Sequence, residues 1–147
     1  MFRDQFVNVH GHIMHLPPKG FNAYSTSGIY GELDTITVES IVQKGDYALD
    51  IGAAIGYYTL ILRRAVSDSG KVFAFEPKQD RFQFLKENLQ INKYENVEIK
   101  NAAIFPNNVK PQFFRSTGPK GGLRHLRKKS DSHIAVYIET IDLDSFF

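Results

Sequence analysis

The stretch Tyr47-Ala48-Leu49-Asp50-Ile51-Gly52-Ala53-Ala54-Ile55-Gly56-Tyr57-Tyr58-Thr59 constrains the fold more than any other part of the chain. It reads as a buried strand, a glycine turn and the start of a helix. Lys44-Gly45-Asp46 forms a polar lead-in. The apolar residues of Tyr47 to Ile51 make the short run needed by a parallel strand covered on both faces. Asp50 interrupts that run near the strand's carboxyl end, where ligands of open α/β sheets sit. Gly52 permits a sharp turn and leaves room for a ligand against the backbone. Ala53 and Ala54 keep the loop close, and Gly56 lets the helix begin tight against the strand. The bland alternative is a plain strand–turn–helix connection with no ligand.

The next thirty residues narrow the reading. After a helix from Tyr57 to Val66 and a turn at Ser67-Asp68-Ser69-Gly70, the run Lys71-Val72-Phe73-Ala74-Phe75-Glu76-Pro77 reads as a second strand ending in a carboxylate. A carboxylate there, roughly 20 residues past the glycine turn, is placed to accept two hydrogen bonds from a ribose diol. Pro77 stops the strand and suits the first turn of the next helix. The alternative for Glu76 is a solvated charge at a helix start.

A dinucleotide site wants G-x-G-x-x-G, whose close glycines let a pyrophosphate meet a helix N-terminus. Here Ala54 stands where the middle glycine would be, and Asp50 is a poor neighbour for a phosphate. D-x-G-x-x-x-G with E-P at the second strand better suits a cofactor without phosphates that carries an amino group and a ribose. That description fits S-adenosylmethionine.

The same blocks, Leu49 to Thr59 and Lys71 to Pro77, resemble the FkbM family of S-adenosylmethionine-dependent methyltransferases. Weaker matches occur at Asn88 to Asn92, Asn101 to Ile104 and Ile141 to Phe147. The resemblance implies an α/β, Rossmann-like class I methyltransferase fold. It implies cofactor contacts at Asp50, Gly52, Ala53, Gly56, Tyr57 and Glu76, with Asn101 and Ala102 bordering the adenine. It also implies methyl transfer to an oxygen, on a small molecule or a glycan hydroxyl. A departure lies at Ala54, where the family usually has Asn.

The 147 residues suggest one methyltransferase domain with a lead-in, divided as 1–31 and 32–147. Phe6 to Val9 and His12 to Leu16 flank His10-Gly11 as a hairpin. Its three histidines read as exposed side chains rather than a metal site. Glu32 to Val42 reads as a helix with Leu33, Ile36 and Ile41 turned inward. Lys78 to Asn92 is amphipathic through Phe82, Leu85 and Leu89, and Asn96 to Lys100 is a third strand. Gln112 to Arg115 and Ile134 to Ile138 read as antiparallel additions. Between them, Ser116 to Asp131 reads as a long loop whose segment Lys120 to Lys129 is basic. His125 and His133 are candidate bases; no catalytic residue is assigned. Cysteine is absent, so thiolate metal sites are excluded. No stretch is long enough to span a bilayer, and a cytoplasmic location is the default. The net charge of +2 is too modest to argue for nucleic acid, and none is expected as a partner.

Three parallel strands supply only the 3-2-1 half of a doubly wound sheet. The resemblance implies a further strand of the type I-K-I-D-x-E-G, which does not come after them here. The chain therefore reads as part of a longer domain, with weak cofactor binding expected in isolation. The competing readings are a non-catalytic, methyltransferase-like interaction domain and a nicotinamide-dependent Rossmann oxidoreductase.

Overall fold

The computed structural model describes residues 5–17, 31–107, 113–116, 123–125 and 133–146. Strands β1 (Gln5–Val9) and β2 (His12–Leu16) form an antiparallel hairpin. Helix α1 (Glu32–Ile41) leads to β3 (Tyr47–Ile51), α2 (Tyr57–Val66), β4 (Lys71–Phe75), α3 (Gln79–Ile91) and β5 (Val97–Lys100). β3, β4 and β5 form one parallel sheet in the order β3-β4-β5. This is the half-sheet expected from the sequence.

Register explains the layering. Ala48 and Asp50 of β3 lie beside Val72 and Ala74 of β4 and share one face. Ala74 packs with Ile55, Leu60, Ile61 and Leu85, so α2 and α3 cover that face. The other face carries Tyr47, Leu49, Ile51, Phe73 and Phe75. Phe73 and Phe75 are buried and meet the ring of Phe146 edge-on at 5.7 and 5.3 Å. Tyr47, Leu49 and Ile51 remain exposed, at 70, 38 and 57%.

The hairpin does not project into solvent. Val9, Met14 and Leu16 join the same buried cluster as Leu60 and Leu85. Asn88 of α3 and Asn92, the residue that caps it, hold the free edge of β2. Each side-chain oxygen accepts a backbone N–H, from His15 at 2.6 Å and Ile13 at 3.0 Å. Each amide nitrogen donates to the carbonyl of the same residue. Four residues of helix rise about 6 Å and two residues of strand about 6.6 Å, so the spacings match. Side-chain amides thus replace a third strand.

Two sequence expectations fail in the structure. Leu33, Ile36 and Ile41 do not face inward; they are 80, 55 and 68% exposed. The helix instead turns Thr35, Val38 and Val42 toward the body of the protein. Thr35 Oγ1 lies 3.1 Å from the Tyr57 hydroxyl, and Arg64 pairs with Glu39. Val38 and Val42 pack against Leu62, Val66 and Val72, and the polar contacts accompany that stripe. The hairpin histidines are also not exposed. His12 is 3% exposed with Nδ1 2.6 Å from the Tyr94 hydroxyl, and His15 pairs with Glu87 at 3.0 Å.

Beyond β5, β6 (Ala103–Ile104) pairs in parallel with β10 (Thr140–Ile141). β7 (Phe113–Ser116) lies between β8 (Leu123–His125) and β9 (His133–Val136), antiparallel to both. The antiparallel additions are as expected. The expected single loop over 116–131 is interrupted by β8, and the remainder of the basic segment lies outside the described residues. Asp142 caps the short 3-10 turn Leu143–Ser145, accepting from Asp144 N at 3.0 Å. No described helix is long and apolar enough to cross a membrane.

Candidate functional site

β3, β4 and β5 all end at one edge of the sheet, and the residues just past each strand build the site. After Ile51, Gly52 takes φ +86° and is exposed. A Cβ placed there would meet no atom within 4 Å, so this side of the turn is open to a ligand. The turn's donors point the other way. Gly52 and Ala53 donate to the Phe75 carbonyl at 2.8 and 3.0 Å. Ala54 donates to Glu76 Oε2 at 2.9 Å, and Gly56 donates to the Ala53 carbonyl at 2.8 Å. A phosphate cradle needs free backbone N–H groups aimed at the ligand. These four are spent inside the fold.

Ala54 takes φ +52°, a left-handed conformation that Asn tolerates better than Ala. This gives a backbone meaning to the departure seen in the sequence.

Glu76 comes directly after β4 and is 3% exposed. Its Oε1 accepts from Lys78 N at 2.8 Å, so each carboxylate oxygen already holds one backbone donor. Each keeps a further lone pair, which is what a ribose diol would use. Asp50 accepts from Thr59 Oγ1 at 2.5 Å. Burial raises its pKa above the usual carboxylate value, against the Thr59 hydrogen bond, and the nearby charge of Glu76 raises it further. Asn101, after β5, donates from Nδ2 to the Glu76 carbonyl at 2.8 Å, tying the two strand ends together. Ala102 is 1% exposed.

The structure therefore brings Asp50, Gly52, Ala53, Glu76, Asn101 and Ala102 to one strand edge. Gly56 and Tyr57 lie beneath it. A Cβ on Gly56 would come within 2.8 Å of Leu85, and Tyr57 is 2% exposed. Thr59 was missed in the sequence; a hydroxyl among Leu60, Ile61 and Leu62 on an inward face was the available signal. Among the described residues no group of three or more His, Cys, Asp or Glu side chains converges on a possible metal position. The side chains of His125 and His133 lie outside the described residues. An open glycine turn, a carboxylate beside it and four turn N–H groups engaged within the fold fit a cofactor such as S-adenosylmethionine.

Comparison with known proteins points the same way. The sequence model of the TRM5/TYW2 methyltransferase domain matches residues 23–110, more than half of the chain. A 23S rRNA (uracil(1939)-C(5))-methyltransferase, RlmD of Acinetobacter baylyi, is 37% identical over 58 residues, 40% of this chain and 12% of that protein. The fold is shared with TYW2 of Pyrococcus horikoshii in complex with MeSAdo. That likeness has a TM-score of 0.53 and 20% identity, over 70% of this chain and 37% of that one. TYW2 of M. jannaschii in complex with AdoMet gives a TM-score of 0.51 and 22% identity, over 65% and 42%. The chain thus spans less than half the length of each of these relatives.

Two expectations change. The resemblance to FkbM proteins holds at the level of S-adenosylmethionine-dependent methyltransferases, while the matching family is of the TRM5/TYW2 kind. The expectation of no nucleic-acid partner is overturned, because the curated relative is an rRNA methyltransferase. Net charge failed as a guide because it averages over the chain, whereas RNA meets local groups of cations.

Proposed function

The chain belongs to the TRM5/TYW2 methyltransferase domain family, and on that premise we propose that it supplies the S-adenosylmethionine-binding part of an RNA methyltransferase. The observation that carries the cofactor reading is the spent set of turn donors. With the N–H groups of Gly52, Ala53, Ala54 and Gly56 all engaged internally, a pyrophosphate finds none of these four free. A nicotinamide cofactor is disfavoured for that reason, and a sulfonium cofactor needs no such donors.

Bound S-adenosylmethionine supplies an activated methyl group. The chain's residues bind and orient it. Gly52 admits the cofactor against the backbone, Glu76 accepts from the ribose through its remaining lone pairs, and Asp50 faces the positively charged amino-acid end. The edge by Asn101 and Ala102 borders the base. Alignment and exclusion of water are the protein's contribution to an in-line displacement.

The acceptor we propose is a nucleotide of RNA, in place of a small-molecule or glycan hydroxyl. It is supported by the 23S rRNA methyltransferase among the relatives, and it suits the cytoplasmic location expected from the sequence. The test is a thermal shift with S-adenosylmethionine and with NAD, followed by transfer of labelled methyl to RNA. A ligand that binds only the folded state raises the midpoint. A shift with NAD and none with S-adenosylmethionine would sink the reading.

A further inference from the structure

A second feature lies at the far end of α3. The helix closes through Lys93, which takes φ +57°. Lys93 N donates to the Gln90 carbonyl at 3.1 Å and Tyr94 N to the Leu89 carbonyl at 3.2 Å. Helices that close in this way usually place Gly or Asn at the left-handed position. A lysine there is strained, and its backbone gains nothing from being lysine.

Its side chain stands at the mouth of a groove of about 250 Å³ between the end of α3 and β5. Leu89, Val97 and Ile99 contribute apolar lining, and Tyr94 flanks it. β5 is an edge strand among the described residues, so the groove is open along its length. Lys86, about two helical turns before Lys93 and on the same side, also lines the groove. Both lysines are exposed, and neither has an acidic partner among the described residues. Lys71 and Lys100 differ: both pair with Glu98, at 3.0 and 3.1 Å. Glu95 also reaches the groove, leaving two cations against one anion.

We infer that this groove holds single-stranded RNA, with a base on the Leu89–Val97–Ile99 floor and phosphate on Lys86 and Lys93. The inference rests on the RNA reading of the chain and adds where the RNA is gripped. The volume is below that of a drug-sized pocket and suits a single flat ring. Cations that track the strand's phosphates give sequence-tolerant binding, and the apolar lining adds a dry surface against which one base can lie. α3 borders the groove through Lys86 and Leu89 and packs against the glycine turn through Asn88, whose Nδ2 donates to the Ile55 carbonyl at 2.8 Å. RNA gripped there would run along α3 to reach the cofactor.

The test is fluorescence anisotropy of the 147-residue chain with a short labelled single-stranded RNA, titrated with salt. Lys86→Gln with Lys93→Gly should weaken binding about tenfold near 0.1 M salt and flatten the log–log salt slope by about 1.4, the value for two phosphates on a single strand. Lys93→Gly alone should raise the thermal midpoint while weakening binding; Lys93→Arg should keep the affinity. A structural role for Lys93 would not move stability and affinity in opposite directions. Unchanged affinity and slope in the double variant would overturn the groove and leave the RNA reading standing. Unchanged affinity of a Val97→Ser variant would overturn the base contact. No binding of RNA by the unsubstituted chain would overturn the groove, and labelled methyl transfer would then judge the RNA reading separately.

Discussion

Ala54 donates its backbone N–H to Glu76 Oε2 at 2.9 Å, joining the glycine turn after β3 to the residue after β4. Lys78 N holds the other oxygen at 2.8 Å. One carboxylate therefore braces the turn and starts the next helix. Glu76→Gln leaves an NH2 group facing one of those two donors. The loss of a charge-assisted bond in a buried place should lower stability by about 2–3 kcal/mol. Urea unfolding of the variant checks this, and its midpoint shift with S-adenosylmethionine should vanish.

The same turn carries a removable strain. Ala54 is left-handed at φ +52° and its side chain does nothing there that requires alanine. Ala54→Asn should stabilise the chain, by about 0.5–1 kcal/mol. Equal or lower stability of the variant in chemical denaturation would show that the position is not strained.

Asp50 gives a pH dependence of definite sign. Its folded pKa is raised, so the fold favours the protonated form. Stability from this group is full below the unfolded value of 3.8 and is lost as pH rises through the folded pKa. Asp50→Asn keeps an acceptor for Thr59 and carries no charge. It should be more stable than the parent at neutral pH, and its stability should not fall over that window. Its affinity for S-adenosylmethionine should drop, because the amino group loses its counter-charge. Calorimetry across pH and binding at pH 7 measure both.

The strand–turn–helix unit was legible because apolar run, glycine spacing and carboxylate lie within neighbouring residues. What failed depended on partners distant in sequence. α1 offers two apolar stripes, and the one containing Thr35 and Val38 meets partners on another helix, Tyr57, Leu62 and Val66. That Glu76 also braces the glycine turn was not legible, because the donor on Oε2 is the backbone N–H of Ala54, 22 residues away. Asn88 looked like an ordinary member of an amphipathic helix, but it grips a strand 73 residues away. The two-residue pair β6–β10 is too short to show a period.

Strand β3 has one neighbour among the described residues, and Tyr47, Leu49 and Ile51 present apolar side chains beside its open edge. Unpaired backbone groups next to apolar surface template association. The 147-residue chain should therefore self-associate as its concentration rises. Leu49→Lys places a charge on that face without touching the buried side and should increase the monomer fraction. Sedimentation velocity at several concentrations reads the difference; a parent chain that stays monomeric throughout would refute it.

The docked hairpin supplies a pH dependence opposite to that of Asp50. His12 is 3% exposed beneath the hairpin, with the Tyr94 hydroxyl on Nδ1. Burial, and then the charges of Arg64, Arg63 and His10, lower its pKa from 6.5 to about 4. The fold therefore favours neutral imidazole. This stability is present above pH 6.5 and is lost as pH falls toward 4, amounting to about 3 kcal/mol across the window. Val9, Met14 and Leu16 share a core with α2 and α3, so protonating His12 loosens more than the hairpin tip. His12→Gln keeps a polar partner for Tyr94 and removes the titration. Its unfolding free energy should change less between neutral pH and pH 4 than that of the parent. An identical change in both chains would place the acid sensitivity elsewhere and free the hairpin from any part in it.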